Sequence, residues 1–227
     1  PTQGQLNLLP ETMPRQEAME LLDEFGFVDV DRLCSQMPRL ALVTELASKY
    51  RFLHWPLEFA DLFNERGGFD LIVGNPPWIK VEWEEGGVMG DVEPMFNLRK
   101  YSASDLAKLR AETIKRFDMK DQYFEAFEEA EGTQNFLNAV QNYPLLKGTQ
   151  SNLFKCFITQ SWMIGNSLGI SGFLHPEGVY DDPNGGQLRD NTFRRLAYHF
   201  QFVNELILFV GPDHHLRYSA NVYRKQP

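Results

Sequence analysis

The sequence predicts an α/β protein, and three observations predict it. Phe69, Leu71, Ile72 and Val73 make a continuous apolar run closed by Gly74, the pattern of a strand buried on both faces. From residue 151 onward, helical and extended patterns alternate: a helix over Asn152–Asn166, a strand over Ile170–Leu174, a helix over Leu188–His199 and a strand over Glu205–Val210. Gly211-Pro212-Asp213 then signals a turn, after which Tyr218–Tyr223 pairs back as an antiparallel strand, giving a C-terminal hairpin.

The elements ahead of the first strand read as follows. Arg15 to about Tyr50 is helical: Ala18, Met19, Leu21, Leu22 and Phe25 recur at helical spacing, as do Leu40, Leu42, Val43 and Leu46, with Asp31 and Pro38 as punctuation. This segment, 1–50, carries no chemistry and reads as packing. At Arg51 the pattern changes to the aromatic-rich RFLHWPLEFADLF, which runs into a turn at Gly67-Gly68 and opens a second region, 51–227.

Between the first strand and residue 151 lies a helical insertion, 80–150, without strand signal. It begins acidic (Glu82, Glu84, Glu85, Asp91, Glu93). A helix then starts at Ser102, a capping residue, with Leu106, Leu109, Thr113 and Phe117 on one face. Arg99, Lys100, Lys108, Arg110, Lys115 and Arg116 concentrate there before a second acidic run from Asp118 to Glu131, the pattern of a solvated amphipathic helix.

Composition bounds the function. At 227 residues, 43% hydrophobic and 13% aromatic, the chain has material for a sizeable core. No apolar run reaches membrane-spanning length, so no membrane partner is expected. Pro1-Thr2-Gln3 is neither a signal peptide nor a methionine start, which points to an excised or processed segment. Cys34 and Cys156 lie far apart in apolar contexts, so buried free thiols in a reducing cytoplasm are expected, with no zinc. The net charge of −9 runs against phosphate binding by the chain as a whole and leaves nucleic-acid contact to a local basic patch or to other parts of a larger protein.

The chemistry concentrates after the first strand, in Asn75-Pro76-Pro77-Trp78. Two prolines fix φ and remove two backbone donors, leaving a stiff corner that presents acceptors. The Asn75 side-chain oxygen and the Pro76 carbonyl suit a planar amino group donating two hydrogen bonds. The Trp78 ring offers a face on which a base can stack, worth ~1–3 kcal/mol. A stiff turn with an anchoring tryptophan is the bland alternative.

This decapeptide, FDLIVGNPPW, resembles the catalytic loop of amino-group DNA methyltransferases. The resemblance implies a Rossmann-like sheet dependent on S-adenosyl-L-methionine, with double-stranded DNA as partner and a flipped adenine methylated at N6. Asn75, Pro76, Pro77 and Trp78 would be the catalytic residues. Glu58-Phe59 resembles the acidic-aromatic pair that binds the cofactor adenine, where the family more often has aspartate. Asn152 and Phe154 match the helix start flanking the cofactor pocket, and ISGFLHPEGVY the strand and loop that follow it. The order, with its long insertion, is most similar to type IIG restriction-modification enzymes and related phage-defence systems. No G-x-G follows a strand upstream of Asn75, so the chain resembles the later part of a catalytic domain, expected to bind cofactor poorly and to be inactive alone.

Related readings remain open. Protein glutamine N5-methyltransferases hold a side-chain amide in the same kind of loop, but continue compactly where this chain inserts about seventy residues. Cytosine N4 enzymes more often carry serine at the position of Asn75, and a degenerate module for assembly or DNA contact is the non-enzymatic alternative. His175, Glu177, Asp181 and Asp182 superficially resemble a metal site, yet in a Pro/Gly-rich loop they read as turn formers, with Glu177 and Tyr180 kept as substrate-side candidates. His214 and His215 read as solvent-exposed, and no nuclease signature is present.

Overall fold

The computed structural model describes residues 25–99, 101–149, 152–209 and 214–226. The expected helix before residue 25, together with Lys100, Ser151 and the turn Gly211-Pro212-Asp213, lies outside them. Two units divide the chain, Pro1–His54 and Trp55–Pro227. In the first, α1 (Val30–Gln36) is capped by the Asp29 carboxylate, which accepts from the Arg32 amide, and α2 (Pro38–Tyr50) starts on its proline.

The second unit opens with α3 (Trp55–Glu58) and α4 (Ala60–Arg66), the aromatic-rich segment folded into two short helices. Gly67, at φ 72°, ends α4 in the left-handed conformation that suits glycine. Strand β1 (Phe69–Gly74) follows. The insertion is helical: α5 (Glu85–Gly90), α6 (Met95–Arg99), α7 (Ala103–Phe117) and α8 (Lys120–Asn138). Ser102 caps α7 as expected, accepting from the Asp105 amide. These helices close their own small core around Met89, Phe96, Met119 and Tyr123, onto which Leu106, Leu109 and Phe117 pack. Glu85 ties the group together, accepting from the Arg110 Nη2 at 2.9 Å and from the Tyr123 hydroxyl at 2.9 Å. Arg110 and Arg116 thus face Glu85 and Glu93, which accounts for part of the basic cluster.

Helix α9 (Leu153–Ile164) leads into the long β2 (Gly165–Pro176), then come α10 (Gly178–Asp181), α11 (Gly186–Arg195), β3 (Leu196–Val203) and β4 (Arg217–Arg224). The sheet order is β1-β2-β4-β3. β1 and β2 are parallel, with Gly74 beside Phe173, while β4 is antiparallel to both β2 and β3. The protein is therefore mixed α/β. Its main core gathers Phe154, Ile158, Trp162, Phe173, Val179, Leu188 and Tyr223 between sheet and helices. No helix among the described residues is long and apolar enough to cross a membrane.

Two expected elements are corrected. The helix predicted over Leu188–His199 stops at Arg195, and the next strand is Leu196–Val203 rather than Glu205–Val210. Tyr198, Phe200 and Phe202 alternate with His199 and Gln201, the period of a strand with distinct faces. The apolar run after them is a turn. Buried Asn204 donates to the Phe209 carbonyl (3.0 Å) and accepts from its amide (3.1 Å), while Ile207 takes a positive φ of 50°. Further, β1 is not covered on both faces as expected, since it lies at the edge of the sheet with Leu71 and Val73 exposed. The strand expected over Ile170–Leu174 extends at both ends, and Cys34 is only half-buried, whereas Cys156 is buried as expected.

Candidate functional site at the carboxyl edge of the sheet

Because β1 and β2 run parallel, their carboxyl ends share one edge of the sheet, the place where open α/β sheets bind ligands. β1 delivers Asn75 to that edge, and β2 delivers Glu177. Helix α9 returns to the same edge: the Leu153 amide donates to the Ile79 carbonyl at 2.9 Å, and Lys80 pairs with Asn152 in an antiparallel bridge. The Asn152 side chain accepts from the Phe154 amide (3.4 Å), capping α9. Three chain segments far apart in sequence thus converge there.

The corner itself is held by both of its halves. Pro76 is buried, whereas Asn75 and Pro77 are exposed. The Trp78 indole N–H donates to the Leu174 carbonyl at 3.2 Å, which fastens the corner to β2. The Trp78 ring lies against Phe209, with centroids 4.7 Å apart, and against Tyr218 at 5.9 Å. Two hollows flank this corner. A wide crevice of about 1160 Å³ is lined by Trp78, Lys80, Asn152, Phe154, Lys155, Glu177 and Arg217, among others. A smaller one, about 550 Å³, is lined by Asn75, Pro76 and Pro77 with Trp55, Phe69, Phe157 and Phe173.

Of the residues anticipated from sequence, Trp78, Asn152, Phe154 and Glu177 share the crevice, and Asn75, Pro76 and Pro77 share the smaller hollow. Glu58 and Phe59 line neither. Glu58 is exposed at the end of α3, and the Phe59 ring stacks on Trp55 (5.8 Å) and meets the edge of Phe69 (5.3 Å). Tyr180 stands behind the crevice, where its hydroxyl donates to Asn221 Oδ1 at 2.7 Å.

Beneath the crevice lies a polar network that sequence reasoning missed. His175, read as a turn former, is fully buried at the end of β2 and stacks on Phe154. Its Nδ1 is 2.8 Å from the Pro176 carbonyl and so carries the proton. Its Nε2 then accepts from the Tyr223 hydroxyl (2.7 Å) and from Asn221 Nδ2 (2.9 Å). Asn221 Oδ1 also accepts from His199 Nδ1 at 2.7 Å. Burial pushes the His175 pKa down to about 4, raises Tyr180 to about 12, and raises Tyr223 as well. These groups are neutral near pH 7 and form a floor rather than an acid–base relay.

Lys155 is nearly buried on the crevice wall and pairs with Asp182, whose carboxyl that hydrogen bond holds below the usual range. Lys155 and the aromatic pair Phe209 and Tyr218 were also missed. The strand pattern over Tyr218–Tyr223 was the available signal for Tyr218, but nothing local joins it or Phe209 to Trp78. No group of three or more metal-ligating side chains occurs among the described residues, and Asp182 is committed to Lys155.

No curated protein matches the chain. The family model of the Eco57I restriction-modification methylase matches residues 22–213, well over half of the chain and including the corner, α9 and β2. The chain belongs to the Eco57I restriction-modification methylase family.

Proposed function

We propose that the chain carries the catalytic corner of a DNA methyltransferase that transfers a methyl group from S-adenosyl-L-methionine to adenine N6, in a restriction-modification or phage-defence system. The observation that carries the reading is the exposed Asn75 amide at the carboxyl end of a parallel strand, on a corner fixed by buried Pro76 and by the Trp78–Leu174 hydrogen bond. The family match supports DNA over a protein glutamine as substrate.

The smaller hollow fits the purine end of the cofactor. Its volume falls in the range of small-molecule pockets, and Trp55, Phe69 and Phe157 give it flat apolar walls beside Asn75. Phe59 stands one ring behind Trp55, with Glu58 next to it at the end of α3. When bound, the cofactor supplies an electrophilic methyl on a sulfonium. β1 is an edge strand with Leu71 and Val73 exposed, and no glycine-rich turn follows a strand ahead of it among the described residues, so cofactor binding by these residues alone is incomplete.

The chain's own residues do three things in this reading. Asn75 Oδ1 and the Pro76 carbonyl accept the two N6 protons of a base rotated out of the duplex. That pairing draws the amine toward tetrahedral geometry and frees its lone pair for the methyl carbon. Trp78, gripped by β2, bounds the base from the crevice side, and Phe209 supplies a second ring there. Transfer forms the N–C bond as the C–S bond breaks, and the surplus amine proton leaves to water. Rate comes from alignment and from acceptors already in place.

The test is Asn75→Ala in the full-length enzyme. The side chain is exposed, so stability should stay within about 0.5 kcal/mol of wild type. Methyl transfer to duplex DNA should fall by roughly 10²–10³, the cost of removing one preorganised hydrogen-bonding group. Undiminished transfer would refute the assignment.

A further inference from the structure

We propose that the crevice is a second nucleotide subsite, in which Glu177 reads the amino group of the base adjoining the one held at Asn75. The inference rests on the methyltransferase reading above and adds a determinant of sequence preference. Its starting point is an orphan. Glu177 Oε1 is buried and has no hydrogen-bond partner among the described residues. Its other oxygen is 3.7 Å from His199 Nε2, too far for a hydrogen bond, and the side chain is only 15% exposed. A carboxylate left this way on the wall of an open crevice is stabilised by any donor that reaches it.

The surroundings say which donor. The corner separates two hollows, with Asn75 on one and Trp78 on the other. Three residues span at most ~11 Å, so a DNA strand passing the corner places neighbouring nucleotides on its two sides. Glu177 lines the same crevice as Trp78, and its backbone is pinned there, since its amide donates to the Arg217 carbonyl at 3.2 Å. The other partly buried carboxylate of the crevice, Asp182, is already neutralised by Lys155, and Asp181 is exposed. Lys80 and Arg217 are exposed and show no ion pair among the described residues, so both remain available to a phosphate.

A carboxylate only accepts. It therefore favours a base with an amino group, as when it accepts from cytosine N4, and disfavours thymine, whose N–H sits between two carbonyls.

The experiment maps methylated sites in DNA from cells expressing full-length wild-type protein or Glu177→Gln. Glutamine keeps the shape and adds a donor, which admits thymine. At one position next to the methylated base, wild type should prefer cytosine or adenine over thymine by about tenfold or more, and Glu177→Gln by less than about threefold, with the same atom methylated. An unchanged site profile in the variant, or no such preference in wild type at either neighbour, overturns the subsite. If the variant loses turnover, the ratio of Kd values for oligonucleotides with cytosine or thymine at that position decides, and equal ratios in the two proteins overturn it. Absence of any DNA methylation by wild type would instead sink the methyltransferase reading itself.

Discussion

Trp78 is tied to Leu174 across ninety-six residues of chain by one hydrogen bond, indole N–H to carbonyl, 3.2 Å long. The bond joins the corner after β1 to the end of its parallel neighbour, so the position of Asn75 depends on β2 as well as on its own strand. Trp78→Phe keeps a ring against Phe209 and Tyr218 but deletes the donor. We expect a loss of about 0.5–1.5 kcal/mol in urea unfolding, the usual worth of such a bond. Methyl transfer should fall by more than that stability loss explains, since the corner then loses its hydrogen bond to β2 and keeps only ring packing and proline stiffness.

Gly68, between α4 and β1, has φ 134°, and a Cβ there would stand 2.3 Å from the Ile164 carbonyl oxygen and 2.9 Å from the Gly165 carbonyl carbon. Both obstacles are backbone, at the junction where α9 turns into β2. Gly68→Ala must therefore strain its own φ and push β1 from β2. Destabilisation of at least about 2–3 kcal/mol is expected by denaturant unfolding. Gly67→Ala meets no atom within 4 Å and pays only for its φ of 72°, so it should cost less.

These two sites mark what the sequence could and could not convey. The corner was legible because its chemistry is contiguous: four residues carry the stiffness, the acceptors and the ring. β1, α7 with its Ser102 cap and α9 were legible because each is fixed by a local apolar pattern. The strand at Leu196–Val203 was not, since Leu188 through His199 satisfies a helical reading until Asn204 turns the following apolar run into a loop. His175 looked like one more polar loop residue. Its burial depends on β4 supplying Tyr223 and Asn221 from nearly fifty residues downstream. The division of the anticipated residues between two hollows likewise arises from the placement of α9 and β2 around the corner, which no spacing encodes.

Lys155 and Asp182 form a pair whose side chains are 8% and 18% exposed. Asp182→Asn leaves the ammonium of Lys155 without its counter-charge in a nearly buried position. A loss of about 3–5 kcal/mol is expected, as for other buried pairs broken on one side. Lys155→Met combined with Asp182→Asn should recover much of that loss, because no charge is then stranded. Urea unfolding of the single and double variants measures the difference; equal losses in both would show that the pair is not what holds α10 to α9.

His175 gives the fold an acid limit. Burial holds its pKa near 4, against about 6.5 in an unfolded chain. Above pH 6.5 neither state binds the proton and the ring costs nothing. As pH falls from 6.5 towards 4, the unfolded chain takes up a proton that the folded one refuses, and stability is lost. The full shift corresponds to roughly 3 kcal/mol at 1.36 kcal/mol per unit. Denaturant unfolding at pH 8, 6 and 4.5 should show this fall; Asp182, whose carboxyl is held low by Lys155, adds a loss of the same sign only as pH drops through and below the ordinary carboxylate range. His175→Gln should be less stable at pH 8, having disturbed the contacts with Tyr223 and Asn221, and should show a smaller loss between pH 6.5 and 4.5. An identical slope in variant and wild type would place the acid sensitivity elsewhere than the floor of the crevice.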